Sequence, residues 1–198
     1  MVKRPFNLFH RKNLYLRFAE VKRSFGNKTT WDKPFPDHFY SFLFEVNGLV
    51  FDNGRVNKAI NLEVFQIKGD FDLVYIDPPY TNQAGVTVDY LHFYHFLEGL
   101  ARYDDWAQYI DYRFKHRPFK RVDNPWNDPK RIRTAFKRLF EQFRKSILVV
   151  SYRSDGIPSV TEIVEYLEAL GKSVRVQTLN YKYVLSNNHS AEVLVIAT

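Results

Sequence analysis

The chain has 198 residues, no cysteine and a formal net charge of +7. This length suits one domain with a sizeable core, and the lack of cysteine excludes disulfides and thiolate metal sites. The six histidines show no metal-ligand spacing, and neither a transmembrane run nor a signal-type apolar region occurs. We therefore expect a cytoplasmic protein with no metal and no membrane partner.

The first predicted region is a basic, aromatic segment with one helix, residues 1–48. Residues 1–33 hold nine Lys or Arg against two acidic residues, which accounts for the whole net charge. Its densest part surrounds a Gly26-Asn27 turn, and a turn between basic arms suits contact with a DNA backbone. A second basic block, residues 113–145, is also interleaved with aromatic residues. The predicted DNA-binding residues are Lys22, Arg23, Asn27, Lys28 and Lys33.

The helix of this segment and two short extended stretches precede the strongest strand of the chain. Apolar residues at helical spacing follow Asp37, which we expect to cap the helix, and Asn47-Gly48 ends it. Leu49–Phe51 and Ala59–Val64 are candidates for short strands. Glu63 lies in the second of these candidates.

The run Phe71–Ile76 ends at Asp77-Pro78-Pro79-Tyr80. An apolar run of this length predicts a strand that is buried on both faces of a parallel sheet. The two prolines fix the backbone, so that Asp77 and Pro78 are extended and no following helix uses their carbonyls. A carboxylate, a free carbonyl and an aromatic ring therefore project from the carboxyl end of a strand, where open α/β sheets bind ligands.

These three groups suit chemistry on the exocyclic amino group of a nucleobase. A carboxylate and a backbone carbonyl both accept hydrogen bonds from the NH2 group, which leaves the nitrogen lone pair free to attack a methyl sulfonium. The target base must first be flipped out of a duplex, and the ring of Tyr80 can stack on it.

The motif resembles that of the DPPY-type, Dam-like DNA adenine methyltransferases. The resemblance implies that Asp77, Pro78, Pro79 and Tyr80 are catalytic and that Asp77 also borders the cofactor. It further implies S-adenosylmethionine as the methyl donor, double-stranded DNA as the substrate and a place in a restriction-modification system. Asp rather than Ser at the first position implies adenine rather than cytosine as the target.

Beyond this motif, helices and strands alternate. A polar loop at 81–89 precedes a helix at 90–100, and Asn127 or Asp128 is expected to cap a further helix. A buried strand follows at 147–151, and Ser159 and Glu162 have capping-box spacing at the start of the last helix, which Gly171 ends. Residues 174–179 and 193–197 read as strands. The apolar face of the helix after Asp128 comprises Ile132, Phe136, Leu139, Phe140 and Phe143.

This order predicts the second half of a doubly wound α/β sheet over residues 49–198. The resemblance implies a class I methyltransferase, or Rossmann-like, fold that is only partly present, with an antiparallel last strand at Ala191–Ala197. Residues 151–158 also look like a segment of Dam-like enzymes, where they would hold cofactor or base. The alternative for this segment is an ordinary strand-to-helix turn.

One expected element is missing from the sequence. Dam-like enzymes carry an F-x-G-x-G turn that lets the backbone approach the cofactor, and no such glycine pair precedes Asp77. Glu63 is the residue that the resemblance would set against the cofactor adenine, and the alternative is a glutamate at the edge of the core. We therefore expect the catalytic and DNA-recognition part of a methyltransferase, with the cofactor-binding part on a partner chain or on a missing segment.

Two other functions stay open. The first is a non-catalytic, methyltransferase-like subunit that keeps the fold and uses its basic surface for DNA binding or regulation. The second is an RNA methyltransferase that uses the same motif on an amino group.

Overall fold

A computed structural model describes residues 33–82, 89–114, 117–179 and 191–198. The predicted DNA contacts at Lys22, Arg23, Asn27 and Lys28 lie outside these residues, whereas Lys33 is described and exposed. In the described part, no helix is long and apolar enough to cross a membrane.

The chain forms two compact units. The sheet unit comprises residues 61–90 and 121–198, and the helical unit comprises the residues up to Ile60 together with 91–120. The predicted division at residue 48 concerns function and stays a prediction.

The sheet unit contains four described strands. These are β1 (Leu73–Ile76), β2 (Ile147–Arg153), β3 (Val174–Leu179) and β4 (Glu192–Ala197), in the order β1-β2-β4-β3. β1 pairs with β2 in parallel, whereas β4 is antiparallel to both β2 and β3. The predicted parallel pair and the antiparallel last strand are therefore confirmed, in a mixed α/β fold.

Six α-helices lie in the described residues. They are α1 (Phe35–Asn47), α2 (Tyr90–Phe93), α3 (His95–Ala101), α4 (Trp106–Tyr109), α5 (Ile132–Gln142) and α6 (Val160–Glu168). Short 3-10 turns form at Val64–Gln66, Tyr103–Asp105 and Pro125–Asn127.

The core of the sheet unit lies between the sheet and α5 and α6. The predicted apolar face of α5 is confirmed, because all five of its residues are buried, and Phe136 and Phe140 are fully so. They pack against alternate residues of β2 and β4 and against α6. The core residues from these three elements are Leu148, Val150, Tyr152, Ile163, Leu167, Val193, Val195 and Ala197.

The start of α6 is also confirmed. Ser159 Oγ accepts the backbone N–H of Glu162 at 3.1 Å, and Glu162 Oε2 accepts the backbone N–H of Ser159 at 2.8 Å. Glu162 Oε1 also accepts from Arg133 Nε of α5 at 2.6 Å. The Arg133 guanidinium, with the bonds to Ser159, lowers the pKa of Glu162 to about 2 against a smaller opposing effect of burial. One carboxylate therefore caps α6 and ties it to α5.

Two predicted strands and one cap are wrong. Leu49–Phe51 pairs with no strand in the described part of the chain, and Ala59–Val64 leads into a 3-10 turn. Both stretches are short, and a short apolar run without an adjacent edge to pair with gains no ladder hydrogen bonds. α1 begins at Phe35 after Pro34, so Asp37 lies in its first turn and does not cap it.

Two helix boundaries also differ from the prediction. The helix predicted at 90–100 is broken at Tyr94, which separates α2 from α3. Asp128 accepts the backbone N–H of Lys130 at 2.9 Å and so caps the turn that leads to α5, which begins only at Ile132. Capping side chains stabilise a single turn as well as a helix, so their position predicts a start only to within a few residues.

The prediction that β1 is buried on both faces is wrong. Leu73 and Tyr75 are 52% and 60% exposed, and only Ile76 is buried. Among the described residues β1 pairs on one edge only, with β2, and no described helix covers the face that Leu73 and Tyr75 share. An apolar run identifies a strand, but it does not show what covers each of its faces.

Candidate active site

The four residues of the predicted motif lie directly after β1. The pair Ile76 and Val150 ends the parallel register of β1 with β2, so the motif lies beside the last residues of β2. Asp77 is exposed, Pro78 is buried, and Pro79 and Tyr80 are half-buried. The carboxylate is therefore accessible while the backbone that carries it is anchored.

The segment after β2 runs beside the motif, as predicted. Ile157 N–H donates to Thr81 O at 2.8 Å, and Gly156 forms an antiparallel bridge with Asn82. Thr81 is fully buried, and its hydroxyl donates to Trp126 O at 3.2 Å. Backbone and side-chain bonds thus hold the residues on the carboxyl side of Tyr80.

A chain of hydrogen bonds links Asp77 to the neighbouring strands. Tyr80 Oη donates to Asp77 Oδ1 at 3.1 Å and lies 3.3 Å from Ser151 Oγ of β2. Ser151 Oγ donates to Glu192 Oε1 of β4 at 3.2 Å. Two hydroxyl protons serve these three contacts, because each hydroxyl donates once. When Ser151 donates to Glu192, the Tyr80 hydroxyl can donate either to Asp77 or to Ser151.

The ring of Tyr80 rests on a rigid aromatic support. Its edge-to-face partner is Tyr152, at a centroid distance of 6.0 Å, and Tyr152 packs in the same way on Phe136 at 5.6 Å. Such pairs add to the energy of apolar burial. Tyr152 and Phe136 are both fully buried. The position of the Tyr80 ring is therefore determined by the core of the sheet unit.

Gly156 makes this support possible. A Cβ atom at this position would lie 2.5 Å from Tyr152 Cε1 and 2.6 Å from Tyr152 Oη. Burial raises the pKa of the Tyr152 hydroxyl, which thus stays neutral at ordinary pH. Among the described residues this hydroxyl has no hydrogen-bond partner. The glycine allows the loop after β2 to cross the ring of Tyr152 at close range.

Glu63 makes no hydrogen bond with the motif among the described residues. Its Oε2 accepts the backbone N–H of Phe65 at 3.1 Å and so caps the 3-10 turn at Val64–Gln66. Gln142 Nε2 fixes the same turn by donating to Val64 O and Ile67 O at 3.1 and 2.8 Å. A contact of Glu63 with a cofactor stays a prediction.

Three supporting residues were not singled out from the sequence. Tyr152 and Ser151 lie in the segment 151–158, for which the sequence predicts a role only as a whole, and no sequence pattern points to Glu192. A serine at the end of an apolar run is the one local signal, since it puts a hydroxyl in an otherwise apolar strand. The pairing of Ser151 with Glu192 joins residues 41 positions apart, which no local pattern predicts.

Comparison with known proteins relates the chain to methyltransferases, although no family model and no solved structure matches it significantly. It is 33% identical over 141 residues to modification methylase LlaI of Lactococcus lactis subsp. lactis, covering 70% of this chain and 21% of that protein. Identity is 27% over 192 residues with type II methyltransferase M2.HphI of Haemophilus parahaemolyticus, covering 94% and 52%. It is 27% over 167 residues with type II methyltransferase M.FokI of Planomicrobium okeanokoites, covering 83% and 24%.

The chain thus spans between 21% and 52% of the length of these relatives. The resemblance inferred from the motif is confirmed at a coarse level, because the relatives are modification methyltransferases. The Dam-like type and the preference for adenine stay predictions.

Proposed function

We propose that the chain forms the base-holding part of the active site of a site-specific DNA methyltransferase that acts on adenine N6. The observation that carries the proposal is the position of Asp77 and Tyr80 together at the carboxyl end of β1, one exposed carboxylate beside a ring supported by the core. The similarity to modification methyltransferases supports the reaction type.

In this proposal Asp77 binds the amino group of an extruded adenine, and Tyr80 stacks on the base. An incoming amino group competes with the Tyr80 hydroxyl for the Asp77 carboxylate. Tyr80 then turns its proton to Ser151 Oγ, 3.3 Å away, whose own proton goes to Glu192. No hydroxyl loses its acceptor in this exchange, so the cost of freeing Asp77 is small. Ser151 and Glu192 are thus positioning residues.

S-adenosylmethionine supplies the methyl group in this reaction class, but the described residues do not make a complete site for it. The carboxylate of Glu63 caps its own turn, and no glycine pair precedes Asp77 in the sequence.

We further propose that a partner chain, or a further segment of a longer protein, supplies the cofactor-binding part. The greater length of the relatives supports this. So does the exposure of Leu73 and Tyr75 on a strand that pairs on one edge among the described residues. Isothermal titration of the chain with S-adenosylmethionine tests the proposal, and tight binding by the chain alone would contradict it.

Transfer of labelled methyl groups tests the reaction. The substrate is genomic DNA that lacks adenine methylation, and the chain is supplemented with the cofactor-binding part of a relative. We expect N6-methyladenine with the wild type, roughly a thousandfold less with Asp77→Ala, and wild-type transfer with Asp72→Ala. Asp72 is the matched control, because it is an exposed carboxylate next to the same strand. Product formed on cytosine would contradict the adenine assignment.

The second candidate is a methyltransferase-like subunit that binds DNA without catalysis. The engagement of Glu63 in its own turn favours it. It predicts no methyl transfer by the supplemented chain, with the wild type and Asp77→Ala alike. A role on RNA predicts instead that RNA outcompetes DNA in the same assay.

A further inference from the structure

A short ribbon of two antiparallel segments lies in the helical unit. It comprises residues 109–114 and 117–120, and Ile110 and Phe119 form its antiparallel bridge. Asp111 N–H donates to Pro118 O at 2.7 Å. Phe119 is only 3% exposed and packs on the ring of Tyr109 at 5.7 Å. We call residues 109–114 and 117–120 the basic ribbon. Burial of Phe119 fixes the position of one end of it.

An ion pair between Asp111 and Arg113 stabilises the first segment of the basic ribbon. Asp111 accepts from Arg113 at 2.8 Å through Nε and at 2.6 Å through Nη2, and also from the Arg113 backbone N–H at 3.1 Å. Arg113 lowers the pKa of Asp111 to about 2, so the carboxylate is ionised at neutral pH. The Arg113 side chain is nevertheless 82% exposed, and its Nη1 makes no hydrogen bond with the described residues.

Arg117, in the second segment of the basic ribbon, contacts Tyr112 in the first segment. Arg117 has φ of +50°, a left-handed conformation that costs energy in a residue with a Cβ atom. Its Nη1 donates to Tyr112 O at 2.9 Å, and its guanidinium lies over the Tyr112 ring at 4.7 Å. This bond and stacking hold Arg117 against Tyr112, which stays 59% exposed.

The described residues of the basic ribbon therefore present two oriented guanidinium groups and exposed aromatic rings. The basic ribbon carries three Lys or Arg residues against one acidic residue, which Arg113 already pairs. Phe114 adds a second ring that is 42% exposed. A two-stranded ribbon fits the major groove of B-form DNA, where guanidinium groups contact base edges and phosphates.

We propose that the basic ribbon enters the major groove of duplex DNA and that Arg113 is its contacting cation. Arg117 stacks on the ring of Tyr112, and this contact orients both side chains. Binding of Arg113 by Asp111 through one edge of the guanidinium fixes its plane and leaves Nη1 for the ligand. This inference rests on the proposed function, which requires duplex DNA as the substrate.

The test measures binding of the full chain to a fluorescein-labelled duplex of mixed sequence, by anisotropy over a range of salt concentrations. The double variant Asp111→Asn, Arg113→Gln removes one charge of each sign, so the net charge is unchanged and Asn still accepts the backbone N–H. We expect roughly tenfold weaker binding and a salt slope smaller by about one. The control Arg175→Gln removes an exposed charge from β3 and should bind within about twofold of the wild type.

Arg113→Lys is a second variant that keeps both the charge and a partner for Asp111. It should bind with an affinity between those of the wild type and the double variant, because the fork is lost. Wild-type affinity in both Arg113 variants, alongside measurable binding by the wild-type chain, would overturn the role of the basic ribbon and leave the proposed function intact. A wild-type chain that binds no duplex would overturn both.

Discussion

The sheet unit and the helical unit differ in how they use aromatic residues. In the sheet unit Phe136, Phe140 and Tyr152 are fully buried and form the support beneath Tyr80. In the helical unit α1 buries no residue, and Phe44 is 84% exposed. Burial fixes the positions of the aromatic rings in the sheet unit. In the helical unit, exposed rings and cations stay accessible to a ligand. In the proposed function the sheet unit carries the residues that hold the base, and duplex DNA is proposed as the ligand of the basic ribbon in the helical unit.

Truncation of one phenylalanine in each unit should show the largest contrast. Phe136→Ala leaves a cavity in the core and should lower the free energy of unfolding by about 3 to 5 kcal/mol. Phe44→Ala removes a largely exposed ring and should change it by less than about 0.5 kcal/mol. Urea denaturation followed by circular dichroism measures both. Equal losses would show that Phe44 is buried in solution and would contradict the contrast between the two units.

Addition of one methyl group should give the next largest effect. Gly156→Ala puts a Cβ atom 2.5 Å from the buried ring of Tyr152, and relief of this clash should cost about 2 kcal/mol of stability. The control is Gly48→Ala at the end of α1. There the nearest atoms would lie at 3.5 Å and φ is −66°, so we expect a change below about 0.5 kcal/mol. Thermal melting of both variants decides, and a neutral Gly156→Ala would refute the close contact.

The ion pair between α5 and α6 should make the sheet unit sensitive to acid. Because the pKa of Glu162 is lowered to about 2 in the fold, its contribution is complete above its ordinary pKa. It is lost as the pH falls towards 2. Glu162→Gln keeps a capping residue and should cost about 1 to 2 kcal/mol at pH 7, with a smaller further loss in acid.

Denaturation at several pH values between neutrality and acid measures this effect. Glu165→Gln on the exposed side of α6 is the control, and it should follow the wild-type pH profile. A Glu162→Gln variant that loses stability in acid as steeply as the wild type would contradict the lowered pKa.

Removal of the Ser151 hydroxyl should have the smallest effect on stability. Ser151→Ala deprives Glu192 of a donor and Tyr80 of its alternative acceptor, which should cost about 1 kcal/mol. Ser173→Ala, whose side chain is exposed, should be neutral. Urea denaturation of the two variants compares them, and equal stability would argue against the hydrogen-bond chain.

Local patterns predicted the parts of the fold that local physics determines. The capping box of Ser159 and Glu162 and the apolar face of α5 each depend on residues within three or four positions, so the sequence was sufficient. The exposure of Leu73 and Tyr75 was not predicted, because it depends on what pairs with β1 and covers it. The sequence of an apolar strand looks the same whether one face or both faces of the strand are covered.

In the candidate site, too, local sequence predicts one part, the motif, and does not predict the other, its support. The motif residues were identifiable because two prolines and a carboxylate after a strand constrain the backbone within four positions. The support was not identifiable, because Tyr152, Ser151 and Glu192 reach Tyr80 only through the pairing of β1, β2 and β4. The sequence likewise shows Arg113 and Arg117 only as members of the basic block 113–145, since the ion pair and the stacking that orient them depend on the backbone geometry.

Binding to duplexes with one unpaired, extrahelical base tests most directly whether Asp77 holds an amino group. An unpaired base removes most of the cost of flipping, so neither the recognition sequence nor the cofactor is needed. We predict that the chain binds an extrahelical adenine about tenfold more tightly than an extrahelical unsubstituted purine, which has the same ring system without the amino group. Asp77→Ala should abolish this preference and Asp72→Ala should keep it. Equal affinity for the two bases, or a preference that survives in Asp77→Ala, would contradict the proposed role of this site.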